Sequence, residues 1–145
     1  METHGIRAAS EAIDVTEMLT RVVEDAFAVL TKAGAGALLV HSDPLLLEPH
    51  RSDITALALK HRLPAIYPWR MYADAWGLMA YGISLQERFR RAASDVDKLL
   101  SGTKPAELPV EQPATFELII NLKTAQALGL TIPPSLLFQA TEVIR

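Results

Sequence analysis

The chain contains no cysteine. That removes disulfides, thiolate metal ligands and cysteine nucleophiles together. Aromatic residues are scarce at 6%, and no run approaches the roughly 20 apolar residues that a membrane-spanning helix needs. Neither sign of charge dominates. Fourteen Lys and Arg face 17 Asp and Glu, for a net charge of −3, which gives no electrostatic reason to bind nucleic acid or an anionic bilayer. The opening residues, METHGIRAASEAID, show no basic segment leading into an apolar one, the pattern a secretory leader would require. What is present is apolar: half of the 145 residues. One domain of that size buries roughly 70% of its unfolded surface, so a core is expected without staples.

Periodicity then orders the elements. DVTEMLTRVVEDAFAVLTKAG reads as a helix. Asp14 and Glu17 supply the cap, Val15, Met18, Leu19, Val22, Ala26, Phe27 and Leu30 supply the apolar stripe, and Gly34 supplies the stop. Ala37–Val40 and LPAIYP are short unbroken apolar runs, as expected of parallel strands covered on both faces. RSDITALALKHR between them reads as a helix. GLMAYG reads as a third strand, and SLQERFRRAASDVDKLLSG as a helix capped by Ser84 and Glu87. Its expected inward stripe is Leu85, Phe89, Ala92, Val96 and Leu99. TKPAELPVEQPAT carries three prolines and reads as a linker. FELIINLKTAQALGL beyond it has the pattern of a strand followed by a helix, and TIPPSLLFQATEVIR that of one more short helix. A weaker strand pattern covers GIRAASEAI. Strands alternating with helices imply right-handed crossovers and a mostly parallel α/β sheet.

Chemistry is sparse. His41, Ser42 and Asp43 are adjacent and alternate faces, so they do not form a Ser–His–Asp triad. They do fall where a parallel strand ends and the chain turns toward a helix, the usual ligand edge of such sheets. Asp43 there either holds a ligand's ammonium or hydroxyl group, or makes an ordinary turn with Pro44. YPWRMY, residues 67–72, also follows a strand. It offers flat aromatic surface for stacking and a guanidinium for a carboxylate, or simply covers the sheet edge. GAG at 34–36 lies between a helix and the next strand, the wrong order for a phosphate loop. His4, His41, His50 and His61 have no metal-site spacing. Arg88, Arg90 and Arg91 with Glu87 and Asp95 read as a solvated helix face. No pair of residues argues for catalysis, so no enzyme, cofactor or metal is expected.

Three runs carry a resemblance: DPLLLEPHRSDITALALKHRLPAIYPWR, GLMAYGISLQERFRRAASDVDKLLSG and KPAELPVEQPATFELIINLKTAQALGLTIPPSLL. They closely resemble the ABC-transporter substrate-binding protein family that includes tryptophan-binding-type periplasmic components. The resemblance implies a type I periplasmic binding protein fold, in which two α/β lobes clamp a small solute and deliver it to a permease. This chain matches most of the second lobe and the C-terminal segment. The expected architecture is therefore an α/β three-layer sandwich with a mostly parallel sheet, plus a C-terminal strand-helix-helix arm. Residues 1–103 form the partial lobe, 104–115 the linker and 116–145 the arm. Asp43, Trp69, Arg70 and Tyr81 map onto the ligand-facing edge of that lobe, while Trp76 stands where a small residue is usual and is expected to fill part of the cleft.

The implied function is a truncated solute-binding component of an importer, for a small organic solute such as an aromatic amino acid or analogue. The alternative is a stand-alone dimerising lobe with a structural role. Family resemblance places it in the periplasm; a complete chain without a leader would be cytoplasmic. In the family the arm is expected to pack with the first lobe. Without that lobe, the strand bearing Phe116, Leu118, Ile119 and Ile120 would expose unpaired edges and an apolar patch. It must then fold back, pair with a second copy or meet a separate chain. A homodimer through the arm is the expectation.

Overall fold

The computed structural model describes residues 15–42, 50–110, 112 and 115–145. The expected Asp14 cap, the GIRAASEAI strand and Asp43 lie outside the described residues. The chain opens with α1 (Val15–Lys32), β1 (Leu38–Leu39) and α2 (Arg51–Lys60). β2 (Ala65–Tyr67), a short α3 (Arg70–Asp74) and β3 (Met79–Ile83) follow. α4 (Leu85–Leu100) leads into the proline-rich stretch, which holds a single 3-10 turn at Pro105–Glu107. The chain closes with β4 (Phe116–Asn121), α5 (Leu122–Leu128), α6 (Pro134–Gln139) and β5 (Glu142–Ile144). No helix among the described residues is long and apolar enough to cross a membrane.

The five strands form one sheet in the order β1-β2-β3-β4-β5. β1, β2 and β3 run parallel, with Leu38 opposite Ala65 and Ile66 opposite Met79. β4 is antiparallel to β3 over its full length, from Met79 opposite Ile120 to Ile83 opposite Phe116. β5 then pairs parallel to β4. The architecture is the expected α/β one, with a mostly parallel sheet.

Local chemistry explains the ends. Gly34 adopts φ +72°, a left-handed conformation that costs glycine least, and the Ala35 amide reaches back to the Leu30 carbonyl at 3.1 Å, closing α1. Ser84 caps α4, its hydroxyl accepting from the Glu87 amide at 3.4 Å. Asn121 caps α5, its carbonyl oxygen accepting from the Thr124 amide at 3.2 Å.

The main core gathers Phe27, Val40, Ile54, Ala58, Leu63, Ala65, Tyr67 and Tyr72. Tyr67 and Tyr72 stack with centroids 4.9 Å apart, and burial pushes the Tyr67 hydroxyl far above its ordinary range. A second cluster joins Ala73 of α3 to Ala80 of β3 and Ile119 of β4.

Two expectations are corrected here. The C-terminal arm is not an uncovered appendage: β4 is hydrogen-bonded on both sides by strands of its own chain, and Ile119 and Ile120 are buried to 2% and 0% exposure. The physical reason for a homodimer through the arm is therefore gone. The second correction concerns α4. Its apolar stripe does not face a core; no residue of the helix is buried, and Phe89 is 74% exposed.

Candidate functional site

Chain direction defines two edges of the sheet. The C-terminal ends of β1, β2 and β3 open into three segments: His41–Ser42 toward the start of α2, Pro68–Trp69 into α3, and Ser84 into α4. This is the edge where ligands bind in open parallel sheets. It is drawn tight at one point: a Cβ built on Gly82 would lie 2.1 Å from the Pro68 carbonyl oxygen, so only glycine lets β3 pass the Pro68 backbone.

His50 immediately precedes α2 and is 1% exposed. Neither ring nitrogen has a hydrogen-bond partner among the described residues, and the Asp53 carboxylate lies 3.6 Å from Nδ1. Trp69 immediately precedes α3 in extended backbone and packs half-buried against the main core. Its indole Nε1 is buried and likewise unpartnered. Two side chains whose buried nitrogens have no partner among the described residues thus precede the helices that follow neighbouring strands.

Tyr81 is the middle residue of β3. Because Tyr81 is opposite Leu118 and Ile83 opposite Phe116, Tyr81 and Phe116 share a face and stack at 5.8 Å. Both are 53% exposed. The result is an open aromatic surface toward the C-terminal end of β3.

Arg70 points elsewhere. Its guanidinium grips Glu142 of β5 through Nη1 at 2.5 Å and Nη2 at 2.8 Å, and its Nε lies 3.3 Å from Asp74. The hydrogen bond from Arg70 holds the Glu142 carboxyl below its ordinary range, and that same bond, with burial opposing it, raises the guanidinium further above its own. A ligand carboxylate at Arg70 would compete with two internal ones. Trp76 stands on the opposite, N-terminal edge, ahead of β3, in a left-handed conformation at φ +68°. The expectation that it fills the cleft is corrected by this placement. The small pocket lined by Thr55, Tyr67, Trp76, Leu78, Thr124 and Leu128 lies at that edge too.

Of the expected site residues, Trp69 stands at the C-terminal edge of the sheet, Tyr81 lies midway along β3, Arg70 is turned toward β5, and Asp43 lies outside the described residues. Sequence reasoning considered His50 only as a metal ligand. Its one legible signal was a polar residue at a helix start following a strand. Among the described residues no group of three His, Asp or Glu is placed to hold a metal ion.

The family model for the ABC transporter substrate binding protein matches residues 5–144, and the chain belongs to that family. Comparison with curated proteins returns no match. Three solved structures are similar. A conserved domain protein from Vibrio cholerae O1 biovar El Tor shares 21% identity with a TM-score of 0.76, over 86% of this chain and 41% of that one. An ABC domain in complex with L-Trp from Streptococcus pneumoniae shares 26% identity and the same TM-score, over 86% of this chain and 42% of that one. A substrate binding protein with adhesive properties from Clostridium difficile, in a ligand-free open structure, shares 15% with a TM-score of 0.52, over 90% and 41%. The chain therefore spans about two-fifths of the length of the structures it matches.

Proposed function

We propose that this chain is one lobe of the substrate-binding component of an ABC importer, working outside the cytoplasmic membrane and handing its solute to a permease. The family match over residues 5–144 carries that reading. The lobe presents one wall of the solute site, at the C-terminal edge of β1–β3. Its solute is a small organic molecule with a flat ring, of the class of tryptophan and its analogues. The Tyr81–Phe116 stack offers a surface for the ring, and the bound L-Trp of the 26% identical neighbour points to the same class. Trp69 is the proposed second aromatic contact. Asp43 is the proposed partner of the solute's ammonium, and Arg70 that of its carboxylate once released from Glu142. A full clamp needs a second wall, because a single face neither excludes water nor supplies opposing contacts.

Isothermal titration of the folded chain with L-tryptophan, other amino acids and small aromatic acids tests the proposal. The expected result is weak, ring-selective binding, with Kd on the order of 0.1–1 mM for one wall, reduced about tenfold or more by Tyr81→Ala. A folded, monodisperse sample showing no heat with any aromatic solute at about 10 mM, where even 1 mM binding would be saturated, would sink it.

A further inference from the structure

Two carboxylates divide the Arg70 guanidinium between them. Asp74, one turn on in α3, lies 3.3 Å from Nε. Glu142 of β5 accepts from both terminal nitrogens, Nη1 at 2.5 Å and Nη2 at 2.8 Å. This end-on pairing is the geometry in which an arginine takes up the carboxylate of a ligand. Glu142 reaches it from the sheet: it stands opposite Ile119, which stands opposite Ala80, and α3 packs on both of those residues through Ala73. The pair is open to solvent, with Arg70 47% and Glu142 45% exposed. Such a pair is worth at most about a fivefold factor in an equilibrium, so another carboxylate can displace it. β5 has little else to hold it. The strand is three residues long, lies at the edge of the sheet and contains no buried residue. Besides its pairing with β4, Ile144 packs on the Ala73–Ala80–Ile119 cluster and Glu142 is held by Arg70.

We propose that Glu142 is an internal stand-in for the solute's carboxylate, so that a solute engaging Arg70 displaces it and loosens β5 in doing so. The inference rests on the solute site proposed above, in which Trp69 and Arg70 contact the same molecule. Asp74 has a different role. By holding Nε it orients the fork, and it leaves the Nη1–Nη2 end free once Glu142 swings away. One cation and two anions leave the cluster with a net negative charge, which disfavours a bare anion. An amino acid, with no net charge, escapes that repulsion. The exchange is then one carboxylate for another at the same two nitrogens. By linkage, the factor by which Glu142 weakens the solute is the factor by which the solute weakens the docking of β5.

Calorimetric titration with L-tryptophan and with indole, the same ring without a carboxylate, tests it. Glu142→Gln should tighten L-tryptophan by about 2- to 5-fold and leave indole unchanged. Asp74→Asn removes the same charge but keeps the Nη end occupied, and should give no such gain. Hydrogen exchange adds a readout that needs no solute. Glu142→Gln should speed exchange of the Thr141 amide, which donates to the Leu118 carbonyl at 2.7 Å, and of the paired β5 amides beyond it, by about 2- to 5-fold. Saturating L-tryptophan should do the same to the parent. A Glu142→Gln variant that binds L-tryptophan no tighter than the parent would overturn the inference while leaving the solute site standing. Equal gains for L-tryptophan and indole, an equal gain from Asp74→Asn, or unchanged β5 exchange in Glu142→Gln would do so too. No heat with either compound, in the parent or in Glu142→Gln, would remove the site itself and the inference with it.

Discussion

Asn121 gives the sharpest test of whether the C-terminal segment is integral to the domain. It ends β4 and caps α5, and it is 4% exposed. Its amide nitrogen donates to the Ala73 carbonyl at 3.0 Å while its side-chain oxygen accepts from the Thr124 amide at 3.2 Å. Asn121→Ala removes both. Losing the cap costs about 1 kcal/mol, with a range of about 0.5–2. Leaving the carbonyl of Ala73, a residue with 0% exposure, without its donor costs about 1–3 kcal/mol more. Together about 2–4 kcal/mol is expected, which for a domain of this size lowers Tm by roughly 8–15 °C. Urea denaturation followed by circular dichroism should show a lower midpoint at unchanged slope. Asn121→Asp separates the two contacts, because it keeps the cap acceptor and loses the donor. Burial raises the folded pKa of the new carboxyl above its unfolded value. Its ionisation therefore penalises the folded state above that unfolded value, near 3.9. The gap to the parent should narrow as pH falls toward about 4, where the protonated acid can donate to Ala73. A change under about 0.5 kcal/mol for Asn121→Ala is what a surface substitution does. That result would mean that β4 and α5 are not built into the lobe.

Other substitutions probe the remaining contacts. Gly82→Ala sets a methyl 2.1 Å from the Pro68 carbonyl oxygen, so β2 and β3 must part; a loss of about 3 kcal/mol or more is expected by calorimetry, while Gly36→Ala, with nothing within 4 Å, should be silent. Glu142→Gln breaks an exposed pair and should cost about 0–1 kcal/mol. The same pair sets an acid dependence: because the folded carboxyl is depressed below its ordinary 4.5, the stabilisation is present above that value and is lost as pH falls through the folded one. A parent and Glu142→Gln variant that stay equally far apart from pH 7 to pH 2 would contradict that assignment.

The parts of the fold that follow from local rules were legible. The Ser84 cap, the Gly34 stop and the three short apolar strands stand where periodicity puts them. β5 was read as the tail of a helix. Leu136 and Leu137 follow Pro133–Pro134 with helical spacing, whereas three residues of strand carry too little alternation to announce themselves. The docking of β4 on β3 was invisible for another reason: it joins residues separated by the whole of α4 and the linker, and nothing in either strand names its neighbour. α4 illustrates the converse. Its amphipathic pattern was read correctly as a helix, but the pattern says only that one face needs cover. The cover itself is not supplied by the described residues. At the C-terminal edge, Trp69 was reachable because it follows a strand, whereas Tyr81 was named only through the family resemblance. The capture of Arg70 by Glu142, 72 residues away, was not reachable.

The distribution of satisfied polar groups separates the two edges of the sheet. At the N-terminal edge the turn between α3 and β3 is held by three side chains from three different elements. Asn121 donates to the Ala73 carbonyl, Thr55 to that of Ala75 at 2.6 Å, and Thr124 to that of Trp76 at 3.1 Å. At the C-terminal edge the opposite holds. His50 and Trp69 keep buried ring nitrogens with no partner among the described residues, a condition native structures rarely leave without a purpose. Stability and recognition should therefore respond to different substitutions. Trp69→Phe deletes a donor that bonds to nothing among the described residues and keeps most of the apolar packing. Its cost in folding should stay near 1 kcal/mol or below. If that nitrogen serves the solute, affinity for L-tryptophan should fall by about 5- to 20-fold, the worth of one hydrogen bond. Loss of more than about 3 kcal/mol of stability at unchanged affinity would assign Trp69 to the core alone, because only a cavity left in packed surroundings costs so much.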